Sequence, residues 1–495
     1  NGGHLTINSN LTTAHGVQQV TLGLADGQLK DPGTITLNGI NDYTGGTTIN
    51  DGITLRAGSD HALGTGDITI GHRMTSSPGL AAGARAVTLA NNILVQSGGG
   101  DWFSLGETGS SNDLTLTGTI GSVDGYGGYA DIDVWGNGTL TLAGDNTFGG
   151  GLYLYDNASL VVTSNTGTGT GRLDLANGMD ATFTSSTPTI GYLTGGAYDY
   201  DGMRYSTVKL QPDATLRLTE GGDFNGHIAG ENAALIVGNG ENNAALALHN
   251  SSTYDGGTII RYGSQVKAAH DQALGTGAVT LMGASLWSMA RLVNPIVFSS
   301  ARRSTLGGVG TYAAADGYTI NQLARLSPGM HFATYYCPVG TLNFETALTL
   351  APGGIYDFNV QNPDGGAGCG YDTITASSLF LAELTGATPF TIEVSTLDAN
   401  ASLGALEHFD AGSAYSWQLF ASGNSLTGFD PAMFTVDSTN FLSPYSGTFA
   451  VSLGNDNMAL YLNYLPAAVP EPSTWVLLLT GAGAVLLPWW RRRRS

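Results

Sequence analysis

The chain has 495 residues, of which 12% are charged and 73 are glycine, and its formal net charge is −21. A globular domain ordinarily carries about 25% charge and about half this share of glycine; polarity here comes from Gly, Thr, Ser and Asn, which favour turns and local side-chain-to-backbone bonds over helices. With only 18 basic residues, the surface has too few cations to displace counterions from phosphates, which argues against nucleic acid as a partner.

The first residue is Asn1, and the opening NGGHLTINSN is already in strand rhythm. No basic and apolar leader is visible there, so it was removed or the sequence is a piece of a longer one. Internal repetition organises the chain from there on. LNGINDYTGGTTINDGITLRAGSDHALGTGDITI at 37–70, LAGDNTFGGGLYLYDNASLVVTSNTGTGTGRLDL at 142–175 and LHNSSTYDGGTIIRYGSQVKAAHDQALGTGAVTL at 248–281 share a skeleton. It is an aromatic, a glycine pair, alternating apolar residues and a Gly-Thr-Gly turn. Tyr43, Phe148 and Tyr254 each precede glycines that can take the positive φ of a tight turn. The runs after them have period two, as in a strand with one buried face. Weaker versions, such as AVTLANNILVQSG and TVKLQPDATLRLTEGG, continue between the copies without a long amphipathic helix. Short strands between Gly and Asn turns predict a stacked solenoid. Coils of roughly twenty to thirty residues stacked about 4.8 Å apart give a body about 60 to 100 Å long.

The three segments resemble the autotransporter-associated β-strand repeat, in which an aromatic and Gly-Gly-Thr-Thr lead into an alternating strand and a Leu-Gly-Thr-Gly turn. The first copy matches closely and the third fairly. The second departs, with Gly149-Gly150-Gly151-Leu152 in place of Gly-Gly-Thr-Thr. The resemblance implies a right-handed parallel β-helix over 1–325 and brings no catalytic residues with it. From 326 to 465, LSPG, GTLNFETALTLAPGGIYDFNV and GYDTITASSLFLAEL resemble the segment that closes such passengers, and glycine thins out over 384–462. A β cap is expected there because the open end of a solenoid exposes unpaired edges.

Parallel β-helices also host polysaccharide lyases and hydrolases, so acidic clusters need weighing. In DGYGGYADIDVWG, Asp131 and Asp133 fall on one strand face; in AYDYDGMRY, Asp199, Asp201 and Arg204 lie among Tyr198, Tyr200 and Tyr205. Paired carboxylates can do acid and base chemistry, but Asp among Tyr and Gly is more often solvated turn material. The reading is therefore of no catalytic residue, with Tyr198, Asp199, Tyr200, Asp201 and Tyr205 as candidate contacts to an extracellular polysaccharide. Neither a cofactor nor a metal is expected. GGAGCGYD at 365–372 has Gly370 where a repeat-in-toxin calcium loop needs aspartate, and His61 reads as a polar turn position because Gln272 replaces it in the third copy. Cys337 and Cys369 can form one disulfide or stay free thiols.

The tail LPAAVPEPSTWVLLLTGAGAVLLPWWRRRRS combines Pro470, Glu471 and Pro472, an apolar run at 475–490 and Arg491, Arg492, Arg493 and Arg494. In that order these parts resemble the PEP-CTERM sorting signal, which implies an exosortase-type membrane protease as partner. The linker 466–474 carries the motif. As a helix, 475–490 spans about 24 Å against a hydrocarbon core of about 30 Å. Trp475, Trp489 and Trp490 suit the interface, and the arginines of 491–495 place that end in the cytoplasm by the positive-inside rule. No strands of a membrane barrel follow the repeats, so the body is expected to rely on separate export machinery. The expected architecture is all-β: a right-handed parallel β-helix with a C-terminal β cap and one short transmembrane helix. The expected role is a non-enzymatic, Gram-negative surface or matrix protein; the alternative is a glycan-active β-helix enzyme.

Overall fold

In the computed structural model, which describes residues 3–12, 18–23, 32–71, 77–96, 102–123, 131–175, 178–196, 204–241, 243–299, 302–332, 335–382 and 388–467, the alternating runs become short strands. The strand Ile53–Ala57 lies parallel between Gly33–Leu37 and Gly79–Ala82, and the pattern repeats upward. Among the described residues, eighteen successive rungs from His4–Ile7 to Phe434–Asn440 form one parallel ladder. At about 4.8 Å per rung it extends about 80 Å. Further parallel sheets of seven and five strands close the other sides of the N-terminal coils, and an eight-stranded sheet, begun by Arg291–Leu292, takes over beyond them. The result is an all-β solenoid. The helical content of the described residues is the single 3-10 turn Pro431–Met433.

Stacking in register makes the core. Phe103, Ile132, Leu152, Leu173 and Leu193 follow one another inward from rung to rung, each fully buried. Burying each such side chain contributes about 1.5–3 kcal/mol, and it is buried only because the next coil covers it.

The sequence repeat spans a full coil and part of the next. In the first copy Thr47–Ile49 turns through Asp51 and Gly52 into Ile53–Ala57, and the chain returns at Ile68–Ile70 directly over Thr47–Ile49. The aromatic plugs the corner: Tyr43, Phe148 and Tyr254 are buried, and their carbonyls accept from Thr65, Thr170 and Thr276 N–H at 3.0, 2.9 and 3.2 Å. Gly64, Gly169 and Gly275 sit there at φ +63°, +70° and +60°, where a Cβ would fall 2.3, 2.4 and 2.0 Å from those carbonyl oxygens. Only glycine fits. Asn91 and Asn294, from the following coil, donate to Gly66 and Gly277 carbonyls at 2.7 and 2.8 Å, closing the turn from above. The copies do not share faces. In the first and third, the strand after the tight turn, Ile53–Ala57 or Gln265–Ala268, lies on the long ladder; in the second it is the strand before it, Leu152–Leu154. The repeat is thus a local unit that can start on different sides of the solenoid.

Beyond Leu326 the same ladder carries on through Ile355–Val360 and Phe390–Thr396 with longer coils. Within the eight-stranded sheet pairing changes at the end, where Ala459–Leu465 runs antiparallel to both Tyr415–Ser422 and Thr448–Leu453. This hairpin caps the eight-stranded sheet and packs Tyr464 against Phe409 and Phe449. The helix expected at 475–490, its flanks Trp475, Trp489, Trp490 and Arg491–Arg494, and the motif Pro470, Glu471 and Pro472 lie outside the described residues. No helix among the described residues is long and apolar enough to cross a membrane. Cys369 is an exposed free thiol.

Candidate functional site

Alternation in Asp131–Trp135 buries Ile132 and Val134 and turns Asp131, Asp133 and Trp135 outward. The next rung presents Tyr153, with Tyr155 just past the strand end; the following rungs present Arg172 with Asp174, then Tyr192 with Thr194. Register places Ser104, Asp133, Tyr153, Asp174, Thr194 and Asp223 in one outward column. Trp135 and Tyr155 stack with centroids 4.4 Å apart and planes 13° from parallel. The Arg172 guanidinium lies 5.3 Å from the Tyr192 ring centroid, a cation–π contact. Gly151 N–H donates to Asp131 Oδ1 at 2.6 Å. A Cβ on Gly151 would come within 2.4 Å of the Tyr153 ring, so the missing side chain is what lets that ring settle on the sheet.

The electrostatics follow from crowding acids among rings. Burial pushes the Asp174 carboxyl above its ordinary range, with Arg172 opposing. Burial raises the Tyr153 phenol, and Asp131, Asp174 and Asp133 add to it against Arg172. Tyr155 is raised by burial and then by Asp133 and Asp174. The strip therefore offers neutral ring faces and hydroxyls beside carboxylate acceptors.

Further along the column the face is covered. The antiparallel pair Met330–Phe332 and Tyr335–Cys337 folds over Ala247 and Trp287, with Met330 and Phe332 buried against them. Lys267 lies 5.6 Å from the Phe332 ring centroid, and the His331 ring 5.5 Å from that of Trp287. Among the described residues, the open strip thus ends near Asp223, which pairs with His249 at 2.7 Å.

Asp131 and Asp133 share the outward face that the alternation predicts. Tyr198, Asp199, Tyr200 and Asp201 lie outside the described residues. Tyr205 is not on the strip: it is half-buried, edge-on to His227 at 5.4 Å, beside the strand Thr207–Leu210 on a different sheet. Arg204 pairs with Asp180, which also accepts from Lys209 at 2.7 Å. Burial raises Asp180, but the two cations prevail and hold it below its ordinary range. Asp60, beside His61, accepts from Thr88 N–H at 3.0 Å, as a polar turn residue does. Among the described residues no three His, Cys, Asp or Glu side chains group as a metal site. Sequence reasoning passed over Trp135, Tyr153, Tyr155, Asp174 and Tyr192. Their signal was the polar half of each alternating run, read together at intervals of about one coil.

The family model of the passenger-associated-transport repeat matches residues 30–57 and 134–154. The chain contains autotransporter-type repeats. The first matched stretch runs from Gly33–Leu37 past the Tyr43 corner to Ile53–Ala57; the second runs from Val134 past the Phe148 corner to Leu154 and includes Trp135 and Tyr153. A comparison with curated proteins finds no match.

Proposed function

We propose that this chain is an exported, non-enzymatic structural or adhesive component of the Gram-negative cell surface or extracellular matrix, working without a cofactor. The observation that carries this reading is that passenger-associated-transport repeats build coils of one long parallel ladder. Such a ladder is a rigid spacer with a long outward face. Its handedness is taken as right-handed, the sense that parallel crossovers adopt. The tail supplies the route: 475–490 holds the chain in the inner membrane with the body on the periplasmic side, and an exosortase-type protease recognises Pro470, Glu471 and Pro472 and releases the body for the surface.

Glu471→Ala leaves the apolar run and charge asymmetry untouched, so insertion should persist while processing stops. Pulse labelling in cells carrying an exosortase, with mass spectrometry of the mature C-terminus, tests this. Cleavage at the wild-type rate would make the tail an ordinary anchor and end the sorting assignment. The glycan-active enzyme keeps one specific support. Asp174, pushed up by burial, lies two rungs from Asp133 in the same column, and a pair of carboxyl groups is what glycoside hydrolysis uses.

A further inference from the structure

We propose that the outward strip built by Trp135, Tyr153, Tyr155 and Tyr192 with Asp133 and Asp174 binds an uncharged polysaccharide lying along the solenoid axis. This deepens the adhesive reading and rests on it.

Three features point to such an occupant. First, rings and carboxyls share adjacent rungs of the ladder, with Tyr153 directly between Asp133 and Asp174 in register. A pyranose presents C–H groups on its faces and hydroxyls round its rim, so ring faces and carboxylate oxygens serve both at once. Second, rungs are about 4.8 Å apart, close to the advance of one sugar in an extended polysaccharide. The open stretch from Ser104 to Asp223 covers six rungs, or about 24 Å, room for a chain of about five sugars before the hairpin at Met330–Phe332 closes the face. Third, the charge rejects polyanions. Asp131, Asp133, Asp174 and Asp223 face outward with Arg172 as the cation among them, on a chain whose net charge is −21. A uronate polymer meets repulsion at three of the six rungs.

The strip is also preorganised. Tyr155 is stacked on Trp135, Tyr153 occupies the space over Gly151, and Arg172 lies over Tyr192, so few rotamers remain to be frozen on binding.

The test uses the purified full chain with cellohexaose, mannohexaose and xylohexaose as neutral probes and hexagalacturonate as the anionic one, read by calorimetry and tryptophan emission. At least one neutral hexaose should bind and shift the emission, and hexagalacturonate should not. Tyr153→Ala with Tyr192→Ala should weaken binding at least tenfold with unchanged circular dichroism. Asp133→Asn, which keeps the side chain's shape and removes its charge, should weaken it severalfold. Tyr262→Ala, which removes an exposed ring stacked under Arg302 away from the strip, should leave binding as it is. Binding of hexagalacturonate alone, absence of binding to all three neutral probes, or equal binding by the Tyr153 and Tyr192 double variant overturns the proposal. Shortened oligosaccharides in the mixture also overturn it, in favour of an enzyme. Cell fractionation separates this outcome from the broader reading: a body at the surface with an inert strip leaves export standing, whereas a body retained in the cytoplasm removes export whatever the strip binds.

Discussion

Residues at the repeat corner vary together. In the first and third copies the corner tyrosine bonds its neighbour's hydroxyl, Tyr43 to Thr47 at 2.7 Å and Tyr254 to Thr258 at 2.8 Å. In the second copy both polar groups are gone, and Phe148 stands four residues before Leu152. The departure from Gly-Gly-Thr-Thr is therefore half of a paired exchange, since a buried hydroxyl without its partner costs more than losing both. Tyr254→Phe leaves the buried Thr258 hydroxyl without this bond and should destabilise the protein by about 1–3 kcal/mol. Adding Thr258→Val should recover part of the loss, giving a coupling of about 1 kcal/mol in a double-mutant cycle followed by urea unfolding. Additive losses would mean that the pair does not interact.

Elements added to the solenoid modify single faces. The strand pair Met330–Phe332 and Tyr335–Cys337 half-buries His331 against Trp287, and this burial holds the imidazole below its ordinary value of 6.5, with Asp357 opposing and Lys267 nearby over Phe332. The packed hairpin thus refuses a proton that the opened one accepts. Its packing is at full strength above 6.5 and loses stability as pH falls from 6.5 toward the depressed value. Hydrogen exchange of peptides covering 330–337, corrected for intrinsic rates, should show protection falling between about pH 7 and pH 5, and His331→Gln should flatten that dependence. Unchanged protection across the range would show that His331 does not control the hairpin.

At the scale of the molecule, the ladder sets shape. A sphere-like fold of 495 residues has a radius of gyration of about 23 Å. Eighteen rungs extend about 80 Å before side chains and cap are counted. Small-angle scattering should therefore give an asymmetric pair-distance curve reaching beyond about 80 Å, with circular dichroism dominated by strand. A symmetric curve closing near the diameter of a compact sphere would rule out the extended solenoid.

By itself the sequence determined what is local: period-two strands, glycines at corners needing positive φ and an aromatic at each corner. Each depends on residues a few positions apart, and the same chemistry recurs wherever the motif does. Asp131 and Asp133 were legible as outward neighbours for that reason. Only the tertiary structure decided what depends on register between coils. It rotated the second copy by one face, carried the ladder past Leu326 to Phe390–Thr396 although glycine thins there, took Tyr205 to His227, and lined Tyr153 up between Asp133 and Asp174. Register is set by how each coil's apolar residues settle on those below, and coil lengths vary, since Thr34 pairs with Thr54 but Trp102 with Asp131. A column of side chains about twenty residues apart therefore has no fixed spacing in the sequence, and it exists only once the coils have stacked.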